Sequence, residues 1–267
     1  MKPLAGDYDN SATVDDEAEI LASFQQRSQA VYQQVNHIRN IPYGKLPRQT
    51  FDWLFSGTPG TGTIIFIHGG YWQCCNKEDF AFIAEVPLAL GYDLLLVEYT
   101  LAPQATLTAI CQEIGMALAA IELQLDLRRR RGPVFLAGHS AGGQLAAYWQ
   151  QHPLVDHVFP ISGIFELEPL LTTYVNQRLQ LTDQEIAALS PLRNLPAAAK
   201  PMTLFYGAAE RPELIAQSEH YHAALCRRQA PVTRVALAGA NHYTVLDALF
   251  GTDGALIHAL TAEGNNR

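Results

Sequence analysis

The chain is 267 residues long and carries a net charge of −8, with 48% hydrophobic and 16% charged residues. The length suits one large domain as well as two small ones, the composition suits a globular domain with a sizeable core, and the acidic balance argues against nucleic acid as the main partner. Four cysteines, two of them adjacent (Cys74 and Cys75) and none in a C-x-x-C pair, form neither a disulfide framework nor a zinc pattern. The N-terminal stretch has no apolar core of a signal peptide, and no apolar run approaches membrane-spanning length. The expectation is a soluble, cytoplasmic protein that meets a small-molecule substrate, binds no membrane and needs no cofactor or metal; a homodimer is left open.

In chain order, residues 1–45 read as an N-terminal helical segment. "RQTFDWLF" (48–55) alternates and reads as an antiparallel edge strand. "GTIIFIHGG", "YDLLLVEY", "PVFLAGHS", "HVFPISGIF", "MTLFYGAAE" and "TRVALAGANH" follow as nearly continuous apolar runs, the pattern of strands buried on both faces of a parallel sheet. Helical patterns separate them at about 79–90, 107–129, 142–151 and 212–228. Arg128 to Arg131 close one of these and read as a solvated helix C-terminus, where cations suit the dipole. Residues 166–196 form a long insertion that reads as a small helical cap. Alternation of this kind predicts one α/β domain over 1–267, a mostly parallel, doubly wound sheet with helices on both faces.

In open α/β sheets ligands bind at the carboxyl ends of the strands, so the residues that end the apolar runs matter most. They are His68-Gly69-Gly70, Glu98-Tyr99, Gly138-His139-Ser140, Ser162-Gly163, Gly207 to Glu210, and Asn241-His242. Gly138-x-Ser140-x-Gly142 sits between a strand and a helix, the context of a nucleophile elbow. His242, after the last strand, supplies the base that an acyl-transfer serine needs. Glu210 is the favoured acid, with Glu213 one turn on and Glu166 and Glu168 as weaker rivals. Backbone N–H groups around Gly69, Gly70, Tyr71 and Ala141 offer an oxyanion hole. His68 reads as a residue that orients its own loop, and His139 as one that points away. Tyr71, Trp72 and Tyr243 lie beside these residues in sequence and could line an aryl pocket or belong to the core.

Taken together, "IPYGKLPRQTFDWLF", "HGGYWQCCNKEDFAFIA", "YTLAP", "GHSAGGQLAA", "ISGIFELEPLL", "LSPL" and "ANHYTVLDAL" resemble the arylformamidase (kynurenine formamidase) branch of the α/β-hydrolases, near the hormone-sensitive-lipase-like esterases. The His-Gly-Gly-Tyr-Trp form is the most specific of these, since neighbouring esterases usually show His-Gly-Gly-Gly. The resemblance implies the α/β-hydrolase fold, a nucleophile at Ser140, a histidine at His242 and an acid at Glu210, where the family often has Asp. It also implies hydrolysis of a small aryl N-formyl amide, a step of tryptophan catabolism. A carboxylesterase for short acyl esters would use the same groups. A binding protein that kept the fold without the chemistry would not need the histidine.

Overall fold

The structure is a computed structural model that describes residues 6, 8–57, 61–130 and 132–264, with the side chains of 261–264 excepted. Eight strands form a single sheet: β1 (His37–Pro42), β2 (Thr50–Leu54), β3 (Gly62–Ile67), β4 (Tyr92–Val97), β5 (Val134–His139), β6 (His157–Ile161), β7 (Met202–Gly207) and β8 (Val232–Leu237). Their order is β1-β2-β4-β3-β5-β6-β7-β8. β1 and β2 pair antiparallel to their neighbours, and the remaining pairs are parallel. β3 to β7 are buried along their whole length, as the unbroken apolar runs predict, whereas β8, expected to be buried on both faces, is an edge strand with every residue half-buried or exposed.

Each central strand feeds two cores, because successive side chains leave the sheet on opposite faces. On one face Ile65, Ile67, Leu95, Val97 and Leu136 meet the helices Leu107–Leu127, Ala141–Tyr148 and Pro212–Arg227. On the other, Ile64, Phe66, Leu94, Leu96 and Phe135 meet Glu17–Gln34, Val245–Phe250 and Ala255–Gly264. No helix among the described residues is long and apolar enough to cross a membrane.

Three expectations change. The N-terminal segment is not helical to residue 45: the helix ends at Gln34 and β1 follows as the true edge strand. "HIRNIP" shows no clean alternation because its pairing slips between Ile38 and Ile41. Asn40 sits there with φ 54°, its N–H donated to Asp52 Oδ1 at 2.7 Å. The helix expected over 79–90 is a 3-10 segment, Lys77–Ala84, followed by a short helix, Glu85–Ala89. Of the arginine run, Arg128 and Arg130 are not simply solvated: Arg128 lies 5.3 Å from the Trp53 ring and Arg130 Nε 3.3 Å from Asp93 Oδ2, while Arg131 is outside the described residues.

Strand order reverses at β3, whose neighbours β4 and β5 lead in opposite directions. Such a switch point opens a crevice beyond the strand ends. The loops that leave β3 and β5 there are Gly69 to Cys75 and the turn at Ser140.

Candidate active site

Ser140 takes φ 56° and ψ −118°, a left-handed conformation that costs a non-glycine residue about 1–3 kcal/mol. The turn is held by its own N–H, donated to Ile161 O at 2.8 Å, and by the helix that starts at Ala141. That helix can come so close only because glycines face the sheet. A Cβ on Gly142 would lie 2.0 Å from the Ile67 carbonyl, and one on Gly138 would lie 2.1 Å from the Gly142 carbonyl. Gly142→Ala is therefore expected to destabilise the protein by about 3 kcal/mol or more, because backbone on both sides must move. Thermal denaturation measures this, and an unchanged midpoint would refute it.

His242 and Glu210 meet across the top of the sheet. His242 Nδ1 is 2.8 Å from Glu210 Oε2, and both side chains are buried. The carboxylate can only accept, so Nδ1 carries the proton and Nε2 is left with a free lone pair. The other carboxylate oxygen, Oε1, accepts from the Gly207 N–H at 2.7 Å and from Ser162 Oγ at 2.5 Å. Glu210 is thus fixed at both oxygens, Oε1 by the ends of β6 and β7 and Oε2 by His242. The rival acids are placed elsewhere. Glu166 and Glu168 share Arg193, and Glu213 lies in the first turn of Pro212–Arg227.

The expectation for His139 is overturned. It does not point away: it lines the same cavity as Ser140 and His242. Its Nε2 donates to the His242 carbonyl at 3.0 Å, and the two rings lie 4.6 Å apart. Burial, and then the neighbouring His242, hold its pKa well below the usual histidine range, so it stays neutral and positions the His242 backbone. His68 behaves as expected. Its ring nitrogens contact Gly69 O and Glu98 Oε1, both at 2.8 Å, beneath the loop. Burial would raise the Glu98 pKa, but His68 and Arg48 outweigh it and hold the carboxyl below its usual range.

The β3 loop carries consecutive left-handed residues: Gly70 (φ 95°), Tyr71 (49°) and Trp72 (58°). A Cβ on Gly70 would meet the Cys74 carbonyl at 2.4 Å. The N–H groups of Gly70, Tyr71 and Ala141 have no acceptor among the described residues. Gly69 backs the elbow, where a Cβ would lie 3.0 Å from Ser140 Cβ.

A cavity of about 490 Å³ lies over these groups, with Ser140, His139 and His242 at its floor. Tyr71 and Tyr243 line it, as expected. Trp72 does not. It is fully buried in the core, because the left-handed backbone turns it beneath the loop while Tyr71 faces the cavity. Further wall residues lie far away in sequence. The cap (Glu168–Thr172, Asn176–Leu179 and Asp183–Leu189) contributes Tyr174 and Arg178. The N-terminal segment contributes Asp9, Asn10, Ser11 and Glu17. The phenol of Tyr71 donates to Tyr8 O at 2.6 Å, and that of Tyr243 donates to Glu17. No local motif marks these wall residues. Ser162, by contrast, ends an apolar run and was open to the same strand-end logic that singled out Glu210.

Residues 64–188 match a family model described as an alpha/beta hydrolase fold. Kynurenine formamidase of Danio rerio is 28% identical over 227 residues, 79% of this chain and 76% of that protein. The Drosophila melanogaster protein of the same name is 26% identical over 232 residues, 80% of this chain and 76% of its own. Among solved structures, a candidate thioesterase from Silicibacter sp. superposes with a TM-score of 0.88 at 25% identity, covering 98% of this chain and 100% of its own. Esterase B of Lactobacillus rhamnosis superposes at 0.74 with 18% identity and 97% of each chain covered, a likeness of fold.

Proposed function

Starting from a hydrolase of the α/β-hydrolase fold that is similar to kynurenine formamidases, we propose that this protein cleaves a small aryl N-formyl amide such as N-formylkynurenine to formate and the free arylamine. The observation that carries the reading is His242, held by Glu210, lining one cavity with a serine on a strained elbow. His242 Nε2 takes the proton of Ser140 Oγ as the oxygen attacks the formyl carbon. The developing oxyanion is received by the N–H groups of Gly70, Tyr71 and Ala141; losing one such donor typically costs about 10²–10³ in rate. His242 then protonates the departing amine, and water releases formate from the formyl-serine.

The shape of the site supports a formamide. A formyl group needs room only for a hydrogen beside its carbonyl, while Tyr71, Tyr174 and Tyr243 give the cavity an aromatic lining for the arylamine. Charge supports an amino-acid substrate. Arg178 lines the cavity and has no ion pair among the described residues, whereas Asp9 and Glu17 line it too. An α-carboxylate would meet Arg178 and an α-ammonium the two acids.

Steady-state rates on N-formylkynurenine and on p-nitrophenyl acetate, taken side by side, test the reading. The formamide is expected to be cleaved with the higher kcat/KM, while some acetate ester hydrolysis accompanies it. A preference for butyryl or longer esters with no detectable formamide hydrolysis would make the protein a carboxylesterase instead. Arg178→Ala is expected to raise KM for N-formylkynurenine by roughly 10-fold or more, the size of a lost charged hydrogen bond, and to leave the neutral acetate ester unaffected. Equal effects on both substrates would remove Arg178 from substrate recognition.

A further inference from the structure

Cys74 and Cys75 take no part in the acyl-transfer scheme, yet both line the cavity that holds Ser140 and His242. In an extended chain, neighbouring side chains point to opposite sides. Here Cys75 has φ 75°, and the two sulfurs come within 3.9 Å of each other. Cys74 is exposed, with its Sγ 3.3 Å from the Gly70 carbonyl, inside the loop that presents the free N–H groups. The other two cysteines stand apart. Cys111 is buried, and Cys226 is exposed on Pro212–Arg227 beside His222.

Two thiols so placed can combine in two ways. A direct disulfide is disfavoured, because neighbouring Cα atoms are about 3.8 Å apart, below the roughly 4.4–6.8 Å that a disulfide spans. One soft centre held between the sulfurs avoids that mismatch. Bonds of about 2.3 Å at a near-tetrahedral angle place two thiolates roughly 3.8 Å apart, close to the spacing already present. We propose that Cys74 and Cys75 form a dithiol site for a trivalent thiophilic centre, an arsenous group being the type, and that its occupancy closes the cavity to substrate.

The chemistry is condensation without redox change. An organic arsenous oxide and the two thiols form two arsenic–sulfur bonds. The arsenic–oxygen bond breaks, and the oxygen leaves as water with both thiol protons. The hydrogen bond from Cys75, set against burial, brings the Cys74 thiol down to about 7, so thiolate is present near neutral pH. The bound group would stand above Ser140 and beside Arg178. Binding itself is independent of the substrate assigned above; only the loss of turnover depends on Ser140 lying in the working site.

Phenylarsine oxide is the probe. One equivalent is expected to give a single adduct by intact-protein mass spectrometry and to abolish p-nitrophenyl acetate turnover. Dithiothreitol should reverse both effects, and mercaptoethanol at the same thiol concentration should not. Cys74→Ser and Cys75→Ser should each weaken adduct formation by about 10²-fold or more, because the second sulfur binds intramolecularly. Cys226→Ser should behave as the parent protein. An adduct that survives either of the first two substitutions, or that mercaptoethanol removes as readily, overturns the dithiol site. A full adduct with undiminished turnover overturns the closing of the cavity.

Discussion

Ser140→Ala is expected to remove turnover of the best substrate by a factor of about 10⁴ or more while the fold persists. Groups that act as a unit fail together, so losing the nucleophile leaves only what the N–H donors and binding supply. Folding should survive because the elbow does not depend on the hydroxyl. It is held by the Ser140 N–H to Ile161 O and by the glycines that let the helix approach. Alanine must still adopt φ near 56°, a cost Ser140 already bears. The thermal midpoint should therefore stay within a few degrees while kcat collapses. A variant that keeps most of its kcat would show that Ser140 is not the nucleophile.

For Glu210→Gln, a loss of about 10⁴ in kcat is expected, for a reason specific to this site. Glu210 Oε1 receives two donors, the Gly207 N–H and Ser162 Oγ. A glutamine must turn its single oxygen towards them, which leaves its NH₂ facing His242 Nδ1. The imidazole is then obliged to accept at Nδ1 and carry its proton on Nε2, where it cannot take one from serine. Size and shape are nearly unchanged, so stability should fall far less than activity. Glu213→Gln is the control and should have little effect. The opposite ranking of the two variants would move the acid into the helix.

Much of this architecture was legible in the sequence because burial on both faces writes itself as continuous apolar runs. β3 to β7 end within a few residues of where those runs end, and reading the polar residues at those ends led to Ser140, Glu210 and His242. The same logic weakened wherever backbone conformation, not position, decides direction. Trp72 is adjacent to Tyr71, yet consecutive left-handed residues send one ring into the core and the other into the cavity. His139 is the last residue of β5 and lines the site beside Ser140, where the chain leaves the extended conformation. β1 was missed because its bulge destroys the alternation that marks an edge strand. The walls from the N-terminal segment and the cap carry no periodic or motif signal, since only long-range packing brings Asp9, Glu17 and Arg178 over Ser140.

The contact between Tyr243 and Glu17 joins residues 226 positions apart, and Tyr71 reaches Tyr8 across 63. The cavity is therefore walled by segments that lie far from the elbow in sequence on either side of it. During synthesis, the strands from β1 to β7 can pair before the ribosome has made His242, but the pocket has neither its base nor its last aromatic wall. Long-range closures of this kind form late and slowly, because the loop entropy must be overcome before the contact rewards it. A nascent chain stalled before residue 242 should be compact and inert, and hydrolytic activity should appear only once His242 and Tyr243 have emerged and docked. Turnover would then report that synthesis has passed His242 and Tyr243 and that both have docked.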